Sequence, residues 1–502
     1  MREELNMIKT PDWVKSVVFY QIFPDRYARV PQPGDEYLNL ESWDSPPTVY
    51  GFKGGNLYGV LEKLDYLVDL GITAIYFNPI FSSPANHRYH TYDYYNVDPL
   101  LGGNEAFRLL LDEAHKRDIR IVLDGVFNHA SRGFWQFNHT LENKAASPYV
   151  DWFYFDEDRL SGAKDWDAYR EIFWDDVTLG GENSIKKYGY TAWWDLPALP
   201  KFNTDTPAVR EFIFDISEYW IRFGIDGWRL DVPEEIDDPG FWREFRTRVK
   251  AINPDAYIVG EIWHEAKSWL QGDQFDAVMN YPITLASLGY FAKSGIDFDQ
   301  DSPVGDYHHR VDPLNGIEFS AKIDQILGWY DPEINQVQLN LLESHDTPRL
   351  ITYVGGDQNS QKLAALLMFT IPGAPTIYYG SEVGLDGKKD PDCRKSFPWD
   401  EKLWDVDLLN YFKSLIIMRK QQSALRTGSF QSVHTDAESY AFERILDGER
   451  LFIVFNIAEQ AQTIPLPGKS GQTVFGQAEL SATDDGIEVN IGPRQGVVIK
   501  VE

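Results

Sequence analysis

The sequence predicts an α/β fold: a (β/α)8 TIM barrel with a subdomain inserted after its third strand and a C-terminal antiparallel β domain. Three observations predict it. Eight short apolar runs alternate with stretches of helical periodicity, the pattern of a parallel sheet buried on both faces and covered by helices. The alternation is interrupted once, over 130–204, by a segment too long and too aromatic for a plain loop. After 426 the pattern changes to short strand-like runs separated by Gly, Pro and Asp.

Val17-Val18-Phe19-Tyr20-Gln21-Ile22-Phe23 is the first strand, closed by Pro24. Residues 57–70 have one helical period, stopped by Gly71, and 72–78 form the second strand. A helix over 106–117 and a third strand over 119–126 follow. The interrupting segment holds Trp152-Phe153-Tyr154-Phe155 and Trp193-Trp194, the latter pair expected in the subdomain's core. A lid over the barrel mouth is expected there. Helix 208–223, strand 227–232, helix 241–252 and strand 256–261 then resume the alternation. The last three strands are placed at 275–280, 337–342 and 374–379, with helices at 317–329, 362–370 and 408–419. The barrel is therefore assigned to 1–129 and 205–426, the inserted subdomain to 130–204, and the β domain to 427–502. Phe430, Tyr440 and Phe452 are expected in that last domain's core.

A chain of 502 residues exceeds one simple core. Its net charge of −30 argues against nucleic acid or an anionic membrane as partner. The surplus of aromatics, with 16 Trp and 27 Tyr, suits stacking on sugar faces as well as core packing. The single cysteine, Cys393, rules out an internal disulfide and fits a reducing compartment. The start MREELNMIKTPDWVKS has no apolar signal core and no window spans a membrane, so Asn138-His139-Thr140 is a glycosylation sequon by spelling only. A cytoplasmic location is expected.

The chemistry concentrates at strand ends. In Gly227-Trp228-Arg229-Leu230-Asp231 the cation and the carboxylate lie two residues apart, on one face of a strand. The cation is expected to keep Asp231 ionised. Taken alone, a structural Arg–Asp pair explains this equally well. Three further stretches repeat the arrangement: Asp124-Gly125-Val126-Phe127-Asn128-His129, Gly260-Glu261-Ile262-Trp263-His264 and Ser344-His345-Asp346. A barrel brings the C-terminal ends of its strands to one mouth. Asp231, Glu261 and Asp346 would then meet, and carboxyls at close range push one another's proton affinities apart. One stays an acid while another stays a nucleophile, the logic of glycoside cleavage. A hydrolytic metal site built from Asp124, His129, Asp231, Glu261, His345 and Asp346 is the rival. No HxH or HExxH spacing favours it.

These four ordered motifs resemble those of the alpha-amylase superfamily, across nearly the whole chain. Leu199-Pro200-Lys201-Phe202-Asn203 is similar to the MPKLN-type motif of its neopullulanase, cyclomaltodextrinase and maltogenic amylase group, and Gly373 to Glu382 resembles the family's eighth strand. The resemblance implies a retaining α-glucan hydrolase that cuts α-1,4 bonds of cyclodextrins, pullulan or malto-oligosaccharides through a covalent glycosyl-enzyme, with α-1,6 bonds left open. It makes Asp231 the nucleophile, Glu261 the acid and base, and Asp346 the residue that holds the distorted sugar. Arg229 would orient Asp231, and His129 and His345 would donate to the same sugar. Tyr89, with His87 beside it, would stack on that ring. Asp390 and Arg394 would grip the next sugar on the non-reducing side, and Glu235 and Trp263 would face the leaving group. Asp124 is read as a structural brace for Arg229.

Departures from the group's pattern matter. The barrel begins near Pro11, so the group's extra N-terminal β domain is not expected, and monomer and weak homodimer both stay open. Val232-Pro233-Glu234-Glu235 stands where VANE is common. The metal-binding loop after the first strand is poorly matched, with Gly55-Asn56 in place of Gly-Asp. The chemistry requires no cofactor, and structural calcium is left open without support. A glucan transglycosylase, a general starch-degrading amylase and a non-catalytic saccharide binder are the alternatives.

Overall fold

The computed structural model describes residues 8–166, 184–292 and 311–501. The eight apolar runs form the parallel strands β1 Phe19–Ile22, β2 Ala74–Phe77, β3 Arg120–Gly125, β4 Gly227–Leu230, β5 Tyr257–Gly260, β6 Ala277–Val278, β7 Leu339–Asn340 and β8 Ala374–Tyr378. Every residue in them except Arg120 is buried. That burial explains why they read as continuous apolar runs and not as alternation. They pair in the order β6-β5-β4-β3-β2-β1-β8-β7. A parallel bridge from Met279 to Leu339 joins the two ends and closes the barrel.

Register decides which side chains meet. Asp124 on β3 pairs with Arg229 on β4, and Leu230 pairs with Gly260 on β5. The C-terminal ends of three adjacent strands therefore deliver Asp124, Arg229, Asp231 and Glu261 at one level.

The covering helices follow local rules. Pro207–Phe223 starts on proline, stops at Gly224 in the left-handed region (φ 119°), and buries Val209, Ile213, Phe214, Ile216 and Trp220. Pro239–Ile252 is capped by Asp238, whose carboxylate accepts from the backbone N–H of Gly240 and Phe241. Two differences from the sequence reading have physical causes. The period over 57–70 is two helices, Leu57–Glu62 and Leu64–Leu70, separated by Lys63 at φ −101° and ψ 4°. Helix Tyr281–Phe291 gave no amphipathic signal because nearly all of it is buried, leaving no polar stripe.

In the inserted segment the helix Trp135–Asn143 packs Phe137 against Phe153, Phe155 and Tyr190. Bridges His129–Lys201 and Phe153–Phe202 tie the segment's two ends together beside β3. Trp193 and Trp194 are not core. Both are half-buried and stack on each other, with centroids 4.7 Å apart. Trp193 stacks in turn on His129 at 5.2 Å.

The C-terminal strands form a five-stranded and a three-stranded antiparallel sheet. Phe452, Val454, Ile464, Val489 and Val497 pack together among their buried residues. Tyr440 and Phe452 are fully buried, whereas Phe430 is half-buried. Two buried arginines brace the junction by donating to backbone carbonyls, Arg444 across it and Arg419 on its barrel side. Arg419 donates to Phe369 O, Leu425 O and Gly373 O. Arg444 donates to Thr370 O, Gly428 O and Ser429 O. Phe369 and Thr370 end the helix Gln358–Thr370, where carbonyls lack intrahelical donors and a cation is favoured.

Arg444→Met leaves the buried carbonyls of Thr370 and Gly428 without their donor, at about 1–3 kcal/mol each, so urea unfolding is expected to show a loss of at least about 2 kcal/mol. An unchanged midpoint would mean that the β strands are not coupled to the barrel through this side chain.

Candidate active site

Arg229 is fully buried at the end of β4 and organises the site. Its Nη1 donates to Asp124 Oδ1 at 2.9 Å and to Asp231 Oδ1 at 3.0 Å. Its Nη2 lies 2.8 Å from Glu261 Oε2, and its Nε donates to Met279 Sδ at 3.4 Å. One guanidinium thus spans β3, β4, β5 and the end of β6. Asp124 keeps its second oxygen occupied by the hydroxyls of Tyr76 (2.9 Å) and Tyr89 (2.8 Å), so it has no capacity left for other chemistry. The bracing role read for Asp124 matches this geometry.

Asp231 and Glu261 are further linked through the backbone. Val232 sits in the left-handed region at φ 35°, a conformation costly for a β-branched residue. In that position its N–H donates to Glu261 Oε2 at 3.2 Å. The indole N–H of Trp263 donates to Glu261 Oε1 at 3.3 Å. Trp263 lies face to face with Tyr281, centroids 3.4 Å apart.

Asp346 enters from the β7 side. His345 Nε2 lies 3.1 Å from its Oδ2, and Arg394 Nη2 donates to its Oδ1 at 3.3 Å. Arg394 also donates through Nε to His345 O and pairs with Asp390 at 3.1 Å. His345 Nδ1 faces the Gln21 amide nitrogen at 3.0 Å, which fixes Nδ1 as acceptor and leaves the proton on Nε2. Nε2 then donates to the Tyr89 hydroxyl at 2.7 Å, which also receives Asn78 Nδ2 at 3.0 Å. The Tyr89 and His345 rings are parallel at 5.4 Å. Asp124, Tyr89, His345 and Asp346 thus form one connected chain.

The remaining predicted residues lie around this centre. His87 accepts the Tyr89 N–H at Nδ1, 3.1 Å away, with its ring 5.8 Å from Tyr89. His129 is buried, and its Nε2 has no hydrogen-bond partner among the described residues. Glu235 accepts from Lys201 Nζ at 2.9 Å, across to the inserted segment. Gln21, Asn78 and Tyr281 have no site role in the sequence reading, and Ser344 stands in its strand-end stretch without one. Each lies at or just past a strand end, and examining every strand end for polar and aromatic residues is the signal that finds them.

Burial sets the electrostatics. It pushes Asp231 well above the usual carboxylate range; Arg229 pulls it back, while Glu261 and Asp124 push it up again. Arg229 thus favours the ionised form of Asp231 as expected, while burial and the neighbouring carboxyls oppose it. Burial, with Glu261 adding to it and Arg394 opposing it, pushes Asp346 up to about 7. Burial pushes His129 down to about 3, so its imidazole is neutral at pH 7. Burial and the nearby Arg394 and Arg229 hold His345 well below the usual range.

Removing Arg394 removes a cation that holds Asp346 down. In Arg394→Met the Asp346 midpoint is therefore expected to rise above about 7. Difference potentiometric titration of each protein against its Asp346→Asn counterpart checks this. A midpoint that falls or stays fixed would contradict the pairing.

Comparison with known proteins shows the family. The alpha amylase catalytic-domain profile matches residues 21–428. A cyclomaltodextrinase of Geobacillus thermopakistaniensis is 41% identical over 467 residues, 92% of this chain and 72% of that protein. An intracellular maltogenic amylase of Bacillus subtilis is 39% identical over 92% of this chain and 72% of its own length. The crystal structure of the Nostoc punctiforme debranching enzyme in its native form is 46% identical, with a TM-score of 0.88 over 98% of this chain and 100% of that one.

Proposed function

We propose, for a chain that belongs to the alpha-amylase family and is a glycoside hydrolase acting on α-glucans, a double displacement centred on Asp231 and Glu261. The observation that supports it is the Arg229 guanidinium, held 3.0 Å from Asp231 and 2.8 Å from Glu261. The step requires the proton on Glu261 and leaves Asp231 as the carboxylate that Arg229 orients. Asp231 attacks the anomeric carbon as Glu261 gives its proton to the departing glycosidic oxygen, leaving a covalent glycosyl-enzyme. Glu261, now ionised, takes a proton from water, and that water displaces Asp231.

Asp346 and Arg394 hold hydroxyls of the reacting sugar, with Asp390 and Arg394 extending the grip to the next sugar. His129, neutral, donates from Nε2 where charge develops on the ring, and His345, whose one N–H goes to the Tyr89 hydroxyl, positions Tyr89 there. Tyr89 stacks on that ring with His87 beside it, and Trp263 and Glu235 border the leaving group. Cyclodextrins, pullulan and short malto-oligosaccharides are the substrates, cut at α-1,4 bonds. Similarity to a debranching enzyme supports α-1,6 cleavage in short branched chains as well. Similarity to an intracellular enzyme and the lone cysteine support a cytoplasmic location, as monomer or weak homodimer.

Purified enzyme given β-cyclodextrin, pullulan, starch and a short branched oligosaccharide at equal mass is expected to attack starch slowest. Proton NMR of the first product is expected to show the α-anomer, the outcome of two inversions. Asp231→Asn and Glu261→Gln are each expected to lose at least ~1,000-fold in turnover. β-anomer first, or full activity in Asp231→Asn, would sink the mechanism; starch fastest would sink the substrate reading alone.

A further inference from the structure

The loop between β1 and the helix Leu57–Glu62 closes around a lysine. The Lys53 side chain is 0% exposed, and its ammonium is ringed by oxygen. It donates to Ser42 O at 2.6 Å, Ser45 O at 2.7 Å and Ser45 Oγ at 2.5 Å. Glu41 Oε2 lies 3.3 Å away and balances its charge. An ammonium has three N–H donors, and three oxygens take them. Backbone carbonyls, a hydroxyl and a carboxylate are otherwise the donor set of a hard metal cation.

The surroundings make this cradle a hub. Asp25, buried under the loop, accepts the backbone N–H of Lys53 at 2.9 Å and of Gly54 at 3.2 Å. The opposite face of the loop is held by Asn86, whose Nδ2 donates to Val49 O at 2.9 Å and Gly51 O at 2.8 Å. Asn86 immediately precedes His87 and Tyr89 of the site. The loop therefore supports a wall of the site, and two buried cations hold it: Arg26, whose Nη2 donates to Gly51 O at 2.8 Å, and Lys53, which fills the oxygen cradle.

We infer that Lys53 is a covalently attached substitute for a metal ion: it fills the oxygen cradle of the 41–53 loop, makes that loop independent of dissociable cations, and on removal leaves a site that takes a free cation. In the group that this chain resembles, the loop after the first strand binds a metal. Here the donors that would hold one already hold the ammonium, so the residues do not fit a bound ion at this place. The inference does not rest on the reaction assigned to the site.

Limited proteolysis with mapped cleavage inside 41–53, alongside thermal unfolding, tests it. Wild type is expected to resist cleavage equally in EDTA and in calcium chloride, with one unfolding temperature. Lys53→Ala is expected to be cleaved faster and to unfold at least about 4 °C lower, and calcium chloride or ammonium chloride is expected to restore protection within 41–53. Lys53→Met, which keeps bulk without charge, is expected to be cleaved faster and to respond to neither salt. Cleavage of wild type within 41–53 that EDTA accelerates would overturn the inference. So would a Lys53→Ala protein that neither salt protects, or a Lys53→Met protein as resistant as wild type. If Lys53→Ala does not accumulate, the wild-type and Lys53→Met arms decide.

Discussion

One buried guanidinium holds this molecule's chemistry together. Arg229 contacts carboxylates that emerge from three adjacent strands, Asp124, Asp231 and Glu261. Charges in a dry interior are tolerated only when paired and hydrogen-bonded. The barrel satisfies that condition by register: Asp124 lies directly opposite Arg229, and the next strand ends one residue before Glu261. A slip of one residue in any of these pairings would turn a charged side chain into the helix layer. Because carboxyls outnumber cations at this centre, burial and mutual repulsion raise the proton affinities of Asp231 and Asp346.

The same device recurs away from the chemistry. Arg419 and Arg444 donate to backbone carbonyls at the junction with the C-terminal strands, and Lys53 does so in the loop beside the site. In a chain of net charge −30, these three buried cations each sit where main-chain oxygens converge. The left-handed Val232 belongs with them. Its strained backbone directs one N–H at Glu261, which ties the residue after Asp231 to the neighbouring strand.

The barrel was legible in the sequence because its strands are buried on both faces and most covering helices keep a polar side. All eight predicted strands lie within a few residues of their observed places. The motif residues were legible for a related reason: polar side chains that follow apolar runs stand out. What escaped lacked such contrast. Helix Tyr281–Phe291 is buried nearly all round and has no period to detect. Trp193-Trp194 read as core because composition does not tell a packed aromatic from one stacked half-exposed on His129. The proton affinity of Asp231 depends on how many carboxyls crowd one arginine, which spacing along the chain does not reveal. Lys53 was invisible because half of its cage is backbone oxygen, which the sequence does not mark.

The most direct measurement is to trap the reaction halfway. Wild type treated with 5-fluoro-α-glucosyl fluoride, digested and mapped by mass spectrometry should carry one hexosyl group on the peptide containing Asp231. The label should be absent from Asp231→Asn treated in the same way. A label on the Glu261 or Asp346 peptide, or turnover of natural substrate with no covalent adduct under any trapping condition, would contradict the account in which Arg229 presents Asp231 as the nucleophile.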